Sequence, residues 1–157
     1  MKNIPNFKKI IFIDKLDYNI NRKIEVGLRI NGSQKKSYKN NPLITIITVV
    51  KNKSDVIEET IQSVLNQKYK NIEYIIIDGE SNDGTIEKIM KYEKKIDYFV
   101  SEKDLGLYDA MNKGLSLAKG DLIGIVNGDD ILLPDATNIL IEYYYKHKNA
   151  EFFFGSV

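Results

Sequence analysis

Leu43 to Val50 is a β-branched run without polar alternation, the pattern of a strand covered on both faces of a parallel sheet. Ile72 to Ile77 repeats that pattern, Tyr98-Phe99-Val100 is a shorter version, and Leu122 to Val126 is a fourth. Between these runs the period changes to that of a helix. Ile57, Ile61, Val64 and Leu65 fall on one stripe, and Ile86, Ile89 and Met90 on a second. Leu107, Met111, Leu115 and Ala118 form a third, with Gly120 just past its end. Ser54 or Asp55 is placed to cap the first helix, and Pro134 fits the first turn of a fourth that runs to about Tyr145. Phe152-Phe153-Phe154 predicts one more strand. Strands alternating with helices imply βαβ units and right-handed crossovers. The expected fold class is α/β, a Rossmann-like α/β/α sandwich around a mainly parallel sheet. Ligands of such sheets bind beyond the carboxyl ends of the strands, so the loops there are the ones to examine.

Upstream the pattern differs. Ile24, Val26, Leu28 and Ile30 alternate with Glu25, Gly27 and Arg29, which predicts a half-buried strand ending at the Asn31-Gly32 turn. Residues 33–41 are polar and rich in lysine, a linker whose charges are expected to be solvated; contact with anionic lipid is the sharper alternative. The chain therefore divides into an N-terminal extension over 1–41, a strand or hairpin plus linker, and a domain over 42–157.

Composition narrows the function classes. The 157 residues suffice for one domain with a real core. Lysine and arginine number 23 against 22 acids, so no global field points to nucleic acid. The absence of cysteine excludes disulfides and thiolate metal sites. A metal would need oxygen ligands or His147, which is expected to be an exposed residue at a helix end. Apolar runs after Met1 are too short for a signal-peptide core or a membrane span, so a soluble, cytoplasmic protein is the expectation.

Four polar clusters fall at strand ends: Lys51-Asn52-Lys53, Asp78 to Thr85, Glu102 to Gly106, and Asn127-Gly128-Asp129-Asp130. The last is the sharpest. Two adjacent carboxylates repel, and a neighbouring Mg²⁺ or Mn²⁺ would relieve that repulsion while accepting hard oxygen ligands. A solvated turn before the Pro134 helix accounts for the same pair, and spacing alone leaves the two readings level. The stretch from Asp78 is no calcium loop, because Asp83 and Ile89 occupy the places where an EF-hand needs glycine and glutamate. Asp83 is better read as a helix cap. No G-x-G-x-x-G follows Val50 and no G-K-[ST] occurs, so phosphate charge would have to be neutralised mainly by a metal.

The segment "PLITIITVVKNKSDVIEETIQSVLNQKYKNIEYIIIDGESNDGT", followed by "SEKDLGLYDAMNKGLSLAKGDLIGIVNGDD", resembles the family 2 glycosyltransferases of GT-A fold, nearest to bacterial members that build polysaccharides. The resemblance covers roughly residues 42–157. It implies a nucleoside diphosphate sugar as donor and a glycan or lipid-linked acceptor, with a peripheral place at the inner face of the membrane as one option. By position it implies that Val49, Val50 and Lys51 line the base, largely through backbone, and that Asp78 contacts base or ribose. Asp129 would lie against ribose or sugar, and Asp130, together with Asp129, would ligate the metal that bridges the diphosphate. Transfer would invert the anomeric centre, with a carboxylate base acting on the acceptor hydroxyl.

Two departures qualify this. Where many relatives have a second aspartate after Asp78, this chain has Gly79, so a base contact from that acid is lost or moved. Asn127 replaces the first acid of the Asp-x-Asp pattern. The family's acceptor half and base follow the strand near Phe152, so the base is expected beyond Val157 and the domain to be truncated at its C-terminus. A fragment that holds nucleotide-sugar without transferring it is the alternative function. A phosphotransfer domain is disfavoured, because Val49-Val50-Lys51 stands where its aspartate nucleophile would be.

Overall fold

A computed structural model describes residues 22–147 and 149–153. In chain order the elements are β1 (Ile24–Val26), β2 (Ile44–Val50), α1 (Ile57–Leu65), β3 (Ile72–Asp78), α2 (Thr85–Met90), β4 (Tyr98–Ser101), α3 (Leu107–Leu117), β5 (Leu122–Ile125) and α4 (Ala136–Lys146). They build one five-stranded sheet in the order β1-β4-β3-β2-β5. Strands β2 to β5 are parallel to their neighbours, and only β1 runs antiparallel, on β4.

The two central strands explain the uninterrupted apolar runs. Every residue of β2 and β3 is buried, because helices cover both faces. On β2, Ile44, Ile46 and Val50 turn to the face shared with α1 and α2, where Ile57, Ile61, Val64 and Ile89 complete a core. Ile47 and Val49 turn to the other face, against Ala110, Met111 and Leu115 of α3. The result is the expected three-layer arrangement.

Several boundaries move for physical reasons. The strand expected through Ile30 ends at Val26, because Gly27 adopts φ +124° and packs against the backbone of Asp97 and Tyr98. Neither Ser54 nor Asp55 caps α1: its N-cap is Val56, with no side-chain bond to the helix. Pro134 precedes the fourth helix by a short turn instead of lying in its first turn. Phe152 and Phe153 lie in no strand, and Phe152 is 74% exposed. Phe154 lies outside the described residues.

The described part of the N-terminal extension is fastened to the sheet. Arg29 donates to the Leu117 carbonyl at 2.9 Å, lies 3.4 Å from Glu73 and sits over the Tyr98 ring. Lys35 is not merely solvated: its ammonium bonds the Ile72 carbonyl at 2.5 Å and the buried Asp97 carboxylate at 2.8 Å. Because β1 is antiparallel, its first residues emerge at the carboxyl end of the parallel strands. Arg22 and Lys23 therefore arrive at the rim where the polar clusters lie.

Candidate functional site

The four clusters meet at this rim, and they are stitched to one another. Asp78, the last residue of β3, is fully buried. Its carboxylate accepts from the Ser81 hydroxyl at 2.5 Å, the Ser81 amide at 3.0 Å and the Ser101 hydroxyl at 2.7 Å. The Ser81 hydroxyl accepts in turn from the Asn52 amide at 2.8 Å, and Asn52 Oδ1 accepts from the Asn82 amide at 3.0 Å. One carboxylate thus organises the loops after β2, β3 and β4. Asn52 and Glu80 are the only non-glycine residues with positive φ among those described, at 52° and 63°. Such conformations persist only where surrounding contacts impose them, and here they lie in the two loops so joined.

Asp83 makes a second stitch. Its carboxylate accepts from the Thr85 amide at 3.0 Å and hydroxyl at 2.5 Å, which holds the start of α2, and from the Ser54 amide at 3.0 Å across the rim. The Thr85 hydroxyl bond first, and then the Ser54 amide, pull its carboxyl down to about 2. Asp83 is not the cap read from sequence: the N-cap of α2 is Gly84, and Asp83 holds the Thr85 amide from one residue earlier while linking to Ser54.

Val49 and Val50 are buried, and their carbonyls hold the Gly128 amide at 3.0 Å and the Gly79 amide at 2.9 Å. Lys51 is the first exposed residue after β2. Beyond β5, a Cβ on Gly128 would fall 2.6 Å from Val50 Cγ2, so glycine is needed for the turn to pass this close to β2. The turn presents Asp129 and Asp130 to solvent. Asp129 pairs with Lys53 at 2.6 Å, and the Lys53 hydrogen bond is the main cause of its lowered carboxyl pKa. Asp130 accepts from Asn127 Nδ2 at 2.8 Å. Asn127 Oδ1 is buried and has no hydrogen-bond partner, an unusual state for an amide oxygen.

A hard divalent cation fits this donor set. Two exposed carboxylates and an orphaned amide oxygen are the ligand types Mg²⁺ and Mn²⁺ prefer, and Lys53 shows that a cation is already accommodated at Asp129. No group of three or more His, Cys, Asp or Glu side chains is arranged for a metal among the described residues. A cation here would draw its remaining ligands from water or phosphate. His147, at the end of α4, is exposed and stacks on Tyr143, away from any such set.

The rim also holds features that sequence reading did not find. Lys23 reaches Glu80 at 2.7 Å, and the pairing lowers that carboxyl. Lys113 is buried with its ammonium 3.0 Å from Glu102, 3.4 Å from Asp109 and 2.7 Å from the Lys103 carbonyl, so α3 fastens the loop after β4. Asp104, in that loop, lies directly over Gly79. Its spacing from Gly79 along the chain carries no signal of this contact.

The family model described as "Glycosyl transferase family 2" matches residues 45–154. A putative teichuronic acid biosynthesis glycosyltransferase, TuaG of Bacillus subtilis, is 34% identical over 117 residues, covering 73% of this chain and 46% of that protein. Among solved structures, S. aureus TarS in complex with UDP superposes with TM-score 0.60 at 20% identity, covering 68% of this chain and 33% of that one. Mannosyltransferase PcManGT of Pyrobaculum calidifontis, in complex with GDP-Man and Mn²⁺, gives 0.57 at 23% identity, covering 71% and 35%. These structural likenesses establish the fold as GT-A. The chain spans roughly a third to under half the length of the curated relatives it matches.

Proposed function

The chain belongs to glycosyl transferase family 2, and from that premise we propose that its rim holds a nucleoside diphosphate sugar for transfer to a glycan or lipid-linked acceptor in polysaccharide synthesis. The observation that carries this is the Asn127–Asp130 turn. It combines two exposed carboxylates, an unpartnered amide oxygen and an ammonium already seated on Asp129. TarS binding UDP and PcManGT binding GDP-Man with Mn²⁺ on the same fold support the reading.

In this proposal Asp130 and Asp129 would hold Mg²⁺ or Mn²⁺, and Asn127 Oδ1 would add an oxygen donor once its amide, which donates to Asp130, turns over. The bound ion would act as a Lewis acid and stabilise the leaving diphosphate. Asp129 would also face ribose or sugar. Val49 and Val50 form the floor of the base end and Lys51 its exposed wall. Asp78 would serve that end chiefly by shaping it, since Ser81 and Ser101 engage both its oxygens. Its direct contact with base or ribose would require one of those bonds to open. Transfer would be a direct displacement with inversion, and the base that takes the acceptor proton is assigned to no residue of this chain. Among the described residues no helix is long and apolar enough to cross a membrane.

A second reading is nucleotide-sugar binding without transfer. Titration with UDP, GDP and TDP, with and without Mn²⁺, tests what the two readings share. Affinity should rise by at least about tenfold with metal for one of them. If every nucleotide binds no better with metal than without, the donor-site assignment is wrong. Sugar transfer by this chain alone would then decide between enzyme and binding fragment.

A further inference from the structure

Gly79 follows Asp78 at the end of β3, and the space its side chain would fill is already taken. A Cβ placed there would collide with Asp104 Oδ2 and lie 3.1 Å from Asp104 Cγ and 3.3 Å from Lys51 Cδ. Asp104 comes from another loop, between β4 and α3. Two contacts fix that loop: Asp104 Oδ1 accepts from the Gly106 amide at 3.0 Å, and Asp109 accepts from the Leu105 amide at 3.0 Å. Oδ2 receives no hydrogen bond among the described residues. An acid is thus delivered to the end of β3 from outside β3, with one oxygen anchored and the other open. The exposed Lys51 chain runs beside it.

We propose that Asp104 is a specificity-determining residue for the donor nucleobase, reading an N–H with its open oxygen while Lys51 donates to the neighbouring carbonyl. The inference rests on the donor-site reading and deepens it at the base end, which Val49 to Lys51 and Asp78 define. An acceptor beside a donor matches the lactam or imide edge of uracil, thymine or guanine, where N–H and C=O are adjacent. Seated in the same position, cytosine and adenine present an unprotonated ring nitrogen that sets a lone pair against the carboxylate. Their own donor and acceptor, the exocyclic amine beside that nitrogen, meet Asp104 and Lys51 only if the base shifts by one ring position. A polar group left unpaired in such a site rejects the wrong base more strongly than a missing apolar contact does. The same geometry makes positions 79 and 104 mutually exclusive: one acid fits, whichever backbone carries it.

The test is the affinity of uridine, guanosine, cytidine and adenosine diphosphates in Mn²⁺, for the full chain and its variants, each first checked for an unchanged melting curve. The unaltered chain should prefer a uridine or guanosine diphosphate over the cytidine and adenosine compounds by at least about tenfold. Asp104→Ala should compress that preference to within about threefold. Asp104→Asn, which keeps an oxygen for the Gly106 amide, should compress it too. Inorganic pyrophosphate should bind all of them equally in Mn²⁺. Gly79→Asp combined with Asp104→Gly should restore the preference. Retention of the full preference by both Asp104 variants would overturn the inference, as would equal binding of all four nucleotides by the unaltered chain while the metal enhancement persists. If no nucleotide binds at all, the donor-site reading falls and this inference falls with it.

Discussion

The two ends of the parallel sheet use the same residue types to opposite effect. At the amino end, buried Glu73 accepts from the Thr45 hydroxyl at 2.6 Å and the Lys119 amide at 2.9 Å, with Arg29 at 3.4 Å. Asp97 holds the Tyr74 amide at 2.8 Å and Lys35 at 2.8 Å, and Asp121 holds the Leu43 amide and Ser37. Each acid there holds a backbone amide and a side chain of the N-terminal extension at once. At the carboxyl end Asp78 and Asp83 have both oxygens engaged, and their bonds join rim loops to one another. Asp129 and Asp130 face solvent, Asp104 keeps an open oxygen, and Asn127 Oδ1 is unpaired. Acids whose capacity is filled internally stabilise a fold. Acids that retain capacity at a strand end can bind something else.

Substitutions at the two ends should therefore separate stability from binding. The largest stability loss is expected for Glu73→Ala, which strands Arg29, the Thr45 hydroxyl and the Lys119 amide. Breaking such a buried constellation costs about 3 kcal/mol, read by chemical denaturation, while metal-dependent nucleotide affinity of the folded fraction should hold. Gly128→Ala should lower both quantities, because its methyl meets Val50 in the core yet displaces the turn that carries Asp129 and Asp130. A stability loss of about 1–2 kcal/mol is expected for such overpacking. Lys53→Ala should change stability by less than about 0.5 kcal/mol, since the pair with Asp129 is half exposed. Calorimetry without nucleotide should show Mn²⁺ binding slightly tighter in that variant, with no ammonium competing for Asp129.

Acid should loosen the rim at Asp83. The Asp83 carboxyl is held at about 2 against an ordinary value of 3.8, so its folded form is the more acidic. Its stabilising effect is complete above that ordinary value and disappears as pH falls toward about 2. Hydrogen exchange at the Ser54 and Thr85 amides should accelerate over this window relative to base-catalysed expectation, and Asp83→Asn should remove the acceleration. An unchanged profile in that variant would show that Asp83 does not hold the loops together.

Much of the fold was legible because burial on both faces leaves a plain trace: β2 and β3 are apolar at almost every position, and helices α1 and α3 carry single stripes. The Asn127–Asp130 turn was legible as chemistry because adjacent carboxylates after a buried strand are conspicuous. Burial of individual polar groups was not legible. Asp78 reads as a strand-end acid free to meet a ligand, yet Ser81, three residues on, and Ser101, from the neighbouring strand, surround it, and the second pairing follows no local spacing rule. Lys35 reads as one lysine of a solvated run, yet it closes on Asp97, distant by 62 positions. Gly79 and Asp104 meet only because β3 and β4 are neighbours, a fact of sheet order. Residues 1–21, part of the extension read from sequence, lie outside the described residues.

Asp129 and Asp130 are proposed to bind a metal diphosphate while adding nothing to the stability of the fold. Calorimetric titration of UDP into the chain with and without Mn²⁺, repeated for Asp130→Ala, tests this claim most directly, with GDP and TDP run alongside. The expected result is a metal-dependent gain of at least about tenfold for one nucleotide, absent from Asp130→Ala, whose melting temperature stays unchanged. A variant that keeps the gain, or that loses it only by unfolding, would contradict the claim.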